Sequence, residues 1–177
     1  MKIPYRTKTK LVDLANLKPT DICIEDIACA LAGQARFNGI TRPVYSVAQH
    51  SVLCSLMAPE GYELSALMHD AHEYILGDIS RPVATLIKCA LVGNPEVEYI
   101  KEDVDYIIRE RFGIDIPFWI DQIVEIDNRM LATEMVRFFG TNYLDGFEPY
   151  YDDMNGPIWD TEQAERMFLD RFYELTK

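Results

Sequence analysis

Apolar side chains recur along most of the chain at intervals of three and four residues, which is the spacing of an amphipathic helix. The first such run places Ile24, Ile27, Ala28 and Leu31 on one face. Glycine or proline follows most of these runs, and both residues commonly end helices. The pattern predicts seven helices, over residues 21–37, 44–57, 62–76, 82–91, 95–112, 117–139 and 161–175. We therefore expect an all-α fold, a compact helical bundle.

Two segments lack this periodicity. Residues 1–20 begin basic and contain Pro4 and Pro19, which favours a short extended or hairpin segment. Residues 140–160 are rich in Gly, Asn, Asp and Tyr and predict a long irregular loop, of a length that is usually functional or mobile. No internal repeat or low-complexity tract interrupts the chain, so we expect residues 1–177 to form a single domain.

Composition narrows the classes of partner. The chain has 29 acidic and 17 basic residues, for a net charge of −12. Phosphate backbones need a basic surface, so duplex DNA or RNA is a poor partner, whereas a nucleotide needs only one local basic pocket. The sequence shows no membrane span and no signal segment, so we expect a cytoplasmic protein. We interpret the cysteines as reduced thiols of the core: Cys23, Cys29, Cys54 and Cys89.

All three histidines lie between positions 50 and 72, and two of them fall in the run LMHDAHEYILGDI. Within that run His69 and Glu73 are four residues apart and share a helical face, which Asp70 borders. Burying such groups on an apolar helix is costly unless something compensates their charge. A divalent metal ion would do so. For His72, a structural role is favoured over contact with a substrate.

Two further polar side chains interrupt apolar helical stripes. His50 lies in the second predicted helix, and Asp127 lies in the sixth. His50 could be a core histidine bonded to a carbonyl, and Asp127 could be a buried acid paired with Arg129 or Arg137. Because a His-Asp pair follows His50 in the next predicted helix, ligation of a metal ion is the favoured interpretation for both side chains. Two imidazoles and two carboxylates suit Zn, Co, Mn, Fe or Ni better than thiolate-loving ions.

The order of these residues resembles the H…HD…D ligand pattern of the HD-domain phosphohydrolases. Three segments extend the match: IEDIACALAGQARFNGITRPVYSVAQHSVL, LMHDAHEYILGDISRPV and EIDNRMLATE. They are similar to the branch that contains bacterial 5′-deoxynucleotidases and small phage enzymes that hydrolyse dATP to deoxyadenosine and triphosphate. The resemblance covers roughly residues 13–139. It implies an HD-domain helical bundle, a divalent metal ion (Zn, Co, Mn, Mg, Fe or Ni) and a homo-oligomer, dimeric or larger.

The resemblance also implies roles for individual residues. The metal ligands would be His50, His69, Asp70 and Asp127. Glu73 matches the acidic residue that positions or deprotonates the attacking water. Asp78 matches a second acid near the leaving group or an additional ion, and Arg36 matches an arginine that contacts phosphate. Phe37 falls where deoxynucleotidases have a tryptophan near the nucleoside.

The chemistry of several of these side chains supports such roles but also allows simpler ones. Arg36 offers a guanidinium fork to phosphate oxygens, and Phe37 offers a ring to a base. Arg81 and Lys88 follow the HD run and could hold outer phosphates. The simpler alternatives are a surface position for Arg36 and core packing for Phe37. Arg81 and Lys88 could equally be solvated helix charges, and Asp78 could cap the next helix.

We therefore expect a metal-dependent phosphohydrolase of deoxynucleotides, most specifically a dNTP triphosphohydrolase that prefers dATP and releases deoxynucleoside and tripolyphosphate. A 5′-deoxynucleotidase acting on dNMPs would use the same residues and is the first alternative. A non-catalytic helical nucleotide-binding module that retains the metal site is the second, and an HD-type enzyme acting on cyclic or alarmone nucleotides is the third. An aromatic ring at position 37 stacks on any base, so the sequence leaves base preference open.

Overall fold

A computed structural model describes residues 1–90, 96–150 and 156–177, without the side chains of Lys88 and of residues 96–99. Two short antiparallel strands, β1 (Pro4–Arg6) and β2 (Leu11–Asp13), come first, and helices make up most of the remaining chain. The helices are α1 (Ile24–Gly33), α2 (Val47–Met57), α3 (Glu63–Met68), α4 (Glu73–Leu76), α5 (Arg81–Ala90), α6 (Glu96–Phe112), α7 (Asp121–Phe139) and α8 (Thr161–Leu175). The prediction of a mainly helical chain with a short N-terminal hairpin is confirmed.

The hairpin is attached to α1 through a buried carboxylate. Asp26 of α1 accepts hydrogen bonds from the Thr9 backbone N–H at 2.7 Å and from the hydroxyls of Thr7 and Thr9, both at 2.8 Å. On β1, the Tyr5 hydroxyl donates to the backbone carbonyl of Tyr74 at 2.9 Å. These bonds satisfy a buried charge. They also hold the hairpin against both α1 and α4. Helix α4 closely follows the His-Asp pair in sequence.

Helix α2 lies at the centre of the fold. Its side chains from position 47 to position 52 are all buried, unlike the single buried stripe of a surface helix. The main apolar cluster packs around α2 from α1, α3 and α8, and includes the fully buried Ile27, Leu67 and Phe168. A second cluster joins α2 to α3 and α7 through Cys54, Ala66, Ile123, Ile126 and Met130. His50 on α2 is therefore inside the protein, close to both α3 and α7.

The third predicted helix, over residues 62–76, is wrong as a continuous element. The structure divides it into α3 and α4, and residues 69–72 between them form a tight turn. There the backbone hydrogen bonds span three residues instead of four, as in a 3₁₀ helix. Ala71 N–H donates to Met68 O, and Glu73 N–H donates to Asp70 O, both at 3.0 Å. This turn holds the histidine and the aspartate of the HD pair.

Other boundaries differ from the prediction by a few residues. The first predicted helix is too long, since α1 ends at Gly33 and a separate 3₁₀ turn follows at Arg36–Gly39. Helix α7 begins at Asp121 instead of 117, whereas α8 has the predicted bounds. The described parts of residues 140–160 hold no helix or strand, as the loop prediction requires. Within the described ranges, none of the helices combines the length and the hydropathy needed to traverse a bilayer.

Candidate metal centre

The four side chains predicted as metal ligands lie together in the structure. His50 comes from α2, His69 and Asp70 come from the turn after α3, and Asp127 comes from α7. The Nε2 atoms of the two histidines are 3.4 Å apart. Oδ1 of Asp127 lies 3.2 Å from Nε2 of His50, and Oδ2 of Asp70 lies 3.2 Å from Nε2 of His69. Two imidazole nitrogens and two carboxylate oxygens thus form one cluster, which we call the ligand cluster.

The second ring nitrogen of each histidine is bound to an oxygen outside the ligand cluster. Nδ1 of His50 lies 2.6 Å from Oε1 of Glu134, and Nδ1 of His69 lies 2.8 Å from the carbonyl oxygen of Ala66. In a neutral ring these partners favour the proton on Nδ1 and leave the lone pair on Nε2. Metal-binding histidines in proteins are usually oriented by such partners.

A thiol lies beside the same nitrogens. Cys54 follows His50 by about one helical turn, and its Sγ is 3.5 Å from Nε2 of His50 and 4.0 Å from Nδ1. His50, Cys54 and His69 are all buried, and each offers a ligand atom within 4.8 Å of the other two. These three side chains could hold a metal ion. The amino-acid sequence indicates that Cys54 and His50 share a helical face, but it does not indicate that the thiol lies close to the ring nitrogens.

Distances in the ligand cluster fit a shared divalent ion. Metal–nitrogen bonds of about 2.0–2.1 Å place two imidazole nitrogens about 3.4 Å apart around a tetrahedral ion. The two Nε2 atoms have this separation, at 3.4 Å. The longer distances, 3.6 Å from Nε2 of His50 to Asp70 and 3.8 Å from Nε2 of His69 to Asp127, correspond to wider angles at the ion.

Negative groups dominate the electrostatics of the ligand cluster. Burial acts to lower the pKa of His50 and of His69, but the neighbouring acidic groups outweigh burial and hold both pKa values well above their ordinary range. Burial acts to raise the pKa of Asp127, but its hydrogen bonds to the two histidines hold that pKa well below its usual range. The two histidines therefore favour their protonated, positively charged form beside ionised aspartates, and a divalent cation could supply that positive charge in place of the protons.

Glu73 is a buried acid close to the ligand cluster. It is 8% exposed, and its Oε2 makes no hydrogen bond within the described part of the chain. Burial, together with the charges of Asp70 and Asp78, raises the pKa of Glu73 to about 9. Burial also raises the pKa of Asp78, which is half-buried. Helix α5 begins at Arg81, so Asp78 lies too early to cap it and that alternative is wrong.

Arg36 reaches the ligand cluster from the turn after α1. Its Nε and Nη2 atoms lie 3.1 and 3.0 Å from Oε2 of Glu134, and Nη1 lies 3.7 Å from Oδ2 of Asp70. Arg36 is buried, so the surface alternative is wrong. The next residue, Phe37, packs edge-to-face on Phe139 with 5.3 Å between ring centroids. Its contact with a base stays a prediction.

Arg81 contacts the ligand cluster through Asp127. Its Nη2 donates to Oδ2 of Asp127 at 2.7 Å. The partners considered from the sequence, Arg129 and Arg137, instead donate to the backbone carbonyls of Glu148 and Gly156. The predicted role of Arg81 toward phosphate is compatible with its half-exposed side chain. The Lys88 side chain, predicted to hold outer phosphates, lies outside the described residues.

His72 lies against α6. Its Nδ1 lies 3.1 Å from Oδ1 of Asp105, which is buried, and the other oxygen of Asp105 accepts from Lys101 at 2.7 Å. These contacts join the turn between α3 and α4 to α6. They agree with the structural role favoured for His72.

Glu134 is the main residue of the site that the sequence-based prediction missed. It is fully buried on α7 and lies between Nδ1 of His50 and the guanidinium of Arg36. Glu134 comes seven residues after Asp127, so both carboxylates lie on one face of α7. That spacing is the feature of the sequence from which Glu134 could have been identified. The ion pair between Glu134 and Arg36 could not be predicted from sequence, because 98 positions separate the two residues.

Replacing Glu134 with alanine should destabilise the fold. The change leaves the buried Arg36 without its main counter-charge and His50 without its Nδ1 partner, and loss of one member of a buried ion pair costs about 3–5 kcal/mol. Chemical denaturation of the two proteins measures this difference in the free energy of unfolding. Glu125→Ala is the matched control, since Glu125 is exposed on the same helix and should change stability by less than about 0.5 kcal/mol. Equal stability of the two variants would contradict the assignment.

The structure thus defines a mainly helical protein with a buried candidate metal centre. The chain is 36% identical over 163 residues to the uncharacterized protein YfdR of Escherichia coli (strain K12), a match that covers 89% of this chain and 86% of that protein. It therefore belongs to the same family as YfdR. It is also 40% identical over 112 residues to the uncharacterized protein RCAP_rcc00048 of Rhodobacter capsulatus, a match that covers 58% of this chain and 54% of that protein. No family model matches the chain.

Proposed function

We propose that this protein is a metal-dependent phosphohydrolase of HD-domain type that acts on deoxynucleotides, most specifically a dNTP triphosphohydrolase with a preference for dATP. The proposal depends on one observation: two histidines and two aspartates meet near Glu73, a buried acid with an oxygen that has no hydrogen-bond partner in the described part of the chain. Imidazole and carboxylate groups are common ligands of catalytic divalent ions. The same residues carry the resemblance to the H…HD…D pattern.

The ligand cluster is suited to bringing phosphate and water together. A divalent ion held by His50, His69, Asp70 and Asp127 would supply a Lewis acid that neutralises phosphate charge and promotes ionisation of water. Glu73 is the group that could accept a proton from the attacking water, because its Oε2 has no hydrogen-bond partner among the described residues. A divalent ion on the neighbouring ligands would offset the negative charge that raises the pKa of Glu73, and so would favour the ionised form that this role needs. Gln34 donates to the backbone carbonyl of Glu73 at 2.8 Å and so holds this acid in place.

Two arginines give an otherwise acidic protein a local site for phosphate. Arg36 is buried and oriented by Glu134, with its Nη1 toward Asp70, so it would contact the phosphate group nearest the metal ligands. The Arg81 side chain is half-exposed and pairs with Asp127 at 2.7 Å. It could exchange this partner for an outer phosphate. A net charge of −12 with two local cations fits a free nucleotide better than a nucleic acid.

A product assay tests the proposal. The purified protein is incubated with each dNTP and each dNMP in Mg²⁺, Mn²⁺, Co²⁺ or Zn²⁺, and nucleoside, nucleotide, phosphate and tripolyphosphate are separated by chromatography. We expect deoxyadenosine and tripolyphosphate from dATP. Nucleoside and orthophosphate from monophosphates alone would replace this activity with that of a 5′-deoxynucleotidase. No hydrolysis of any substrate in any metal would overturn the proposal and favour a non-catalytic binding module. An Asp70→Ala preparation serves as the control for contaminating phosphatases.

A further inference from the structure

Helix α5 carries an exposed row of apolar side chains. Val83, Leu86 and Ile87 are three and four residues apart, so they lie on one face of the helix, which we call the α5 face. Their exposed fractions are 42%, 68% and 37%, and Ile79, four residues before Val83, is 47% exposed. Every other described side chain of α5 is exposed as well, except that of Ala84, which is half-buried.

The α5 face lies on the opposite side of the helix from a contact that attaches α5 to α7. Arg81 of α5 donates hydrogen bonds to the side chains of Asp127 and Asn128 on α7. Successive residues of an α-helix are about 100° apart around its axis, which places the three side chains of the α5 face about 120–160° away from Arg81. A surface helix normally turns its apolar side toward its own protein. In α5 the apolar side points outward, so it needs another partner.

Charge favours a second copy of this chain as that partner. The chain has a net charge of −12, yet residues 79–90 contain no Asp or Glu and carry two basic residues, Arg81 and Lys88. Two copies that meet through the α5 face therefore bring no carboxylates of this segment together. The centres of protein interfaces are usually depleted of charged residues in the same way. An anionic membrane surface also binds amphipathic helices, but it would repel a chain with a net charge of −12.

The exposed area matches that of a small stable interface. The α5 face and Ile79 together expose about 350 Å² of apolar surface, and patches of this size on soluble proteins often mark interaction sites. Two copies would bury about 700 Å² of apolar surface, and since interfaces are about 60% apolar, about 1,200 Å² in total. This total lies at the lower end of the range for specific, stable complexes.

We propose that two copies of this protein associate through the α5 face, as a symmetric dimer in which α5 of one copy packs on α5 of the other. A two-fold axis brings the same surface of both copies together, so a row of apolar side chains can be its own complement. Packing of the two rows against each other removes Leu86, the most exposed of these side chains, from water. The inference does not depend on the reaction that the ligand cluster performs.

The molar mass of the protein in solution tests this inference. We expect light scattering after size-exclusion chromatography to give twice the chain mass of 20.4 kDa. Leu86→Glu places two carboxylates opposite each other in the apolar contact, so it should raise the dimer dissociation constant by about 100-fold or more and give the mass of one chain. Val83→Glu, an independent change on the same face, should have the same effect.

Thr85→Glu is the matched control. It introduces the same charge next to Leu86 in sequence, but Thr85 lies four residues after Arg81 and shares that side of the helix, so the dimer should persist. Far-ultraviolet circular dichroism shows whether the helices persist in all three variants. Because Thr85, Leu86 and Val83 are exposed, we expect all three variants to fold.

The outcomes separate this inference from a membrane contact and from the proposed function. The mass of one chain for the unmutated protein, from about 1 to about 100 μM, would overturn the inference without any variant. A dimer that persists in folded Leu86→Glu and Val83→Glu, or that Thr85→Glu also loses, would overturn it as well. Sedimentation of a monomeric unmutated protein with phosphatidylcholine–phosphatidylserine vesicles, lost in Leu86→Glu, would replace it with a membrane surface. An α5-dependent dimer that hydrolyses no nucleotide would support the inference while the proposed function fails.

Discussion

Asp70→Ala should remove both the metal binding and the deoxynucleotide hydrolysis that we propose. Asp70 supplies an oxygen 3.2 Å from Nε2 of His69 and 3.6 Å from Nε2 of His50, so it belongs to the ligand cluster together with both rings. Loss of a residue that only orients a metal ligand costs about 10–100-fold in metal affinity, so loss of a direct ligand should weaken metal binding by about 100-fold or more. A metal ion contributes several kcal/mol to the transition state, so kcat/KM should fall by about 10³-fold or more.

The measurements for Asp70→Ala are metal content by mass spectrometry and product formation from dATP on the same preparation. Asp103→Ala is the matched control, because Asp103 is exposed on α6. Far-ultraviolet circular dichroism of both variants shows whether the helices persist. A folded Asp70→Ala protein that retains most of its metal or most of its activity would remove Asp70 from the ligand set.

Glu73→Gln should lose turnover while it keeps the metal. Glutamine preserves the size of the side chain but cannot accept a proton from water. Positioned acids and bases contribute about 10²–10⁴-fold, and kcat should fall by that factor. The distances of the ligand cluster do not involve Glu73, so metal content should remain that of the unmutated protein. Glu60→Gln, at an exposed position, is the control. A parallel loss of metal and activity would instead make Glu73 a ligand.

Stability supplies an independent readout for the same variant. Burial raises the pKa of Glu73 to about 9 from its ordinary value of 4.5, so the folded chain holds a proton that the unfolded chain releases. The contribution of Glu73 to stability therefore falls as the pH rises from about 4.5 to about 9. Without added metal, Glu73→Gln should lack this fall and should be at least as stable as the unmutated protein at pH 8. Lower stability there would indicate that Glu73 has a structural role.

The helices could be predicted from sequence because most of them are long and amphipathic. Helix α8, for example, has the predicted bounds, and its apolar face packs on α1 and α2. The turn at residues 69–72 could not be predicted in this way. A 3₁₀ turn keeps apolar side chains about three residues apart, so the periodicity continues across it and only the backbone hydrogen bonds reveal it.

The candidate site was predictable where its residues are unusual for their local environment. A histidine and an aspartate in apolar stripes, and an HD pair, stand out in the sequence itself. Arg36 and Glu134 do not stand out, because each is ordinary in its own segment and becomes significant only through a contact between them. Cys54 is ordinary for a different reason: a buried cysteine is typical of any core, and only its distance to His50 distinguishes it.

The ligand cluster joins parts of the chain that are far apart in sequence, at positions 50, 69–70 and 127. An ion bound to all of them would act as a cross-link between α2, the turn after α3 and α7, and would close chain loops of about 20 and about 60 residues. Such an ion binds the folded chain in preference to the unfolded one and stabilises it by mass action. Metal supply would then govern how many copies of the protein survive proteolysis in a cell.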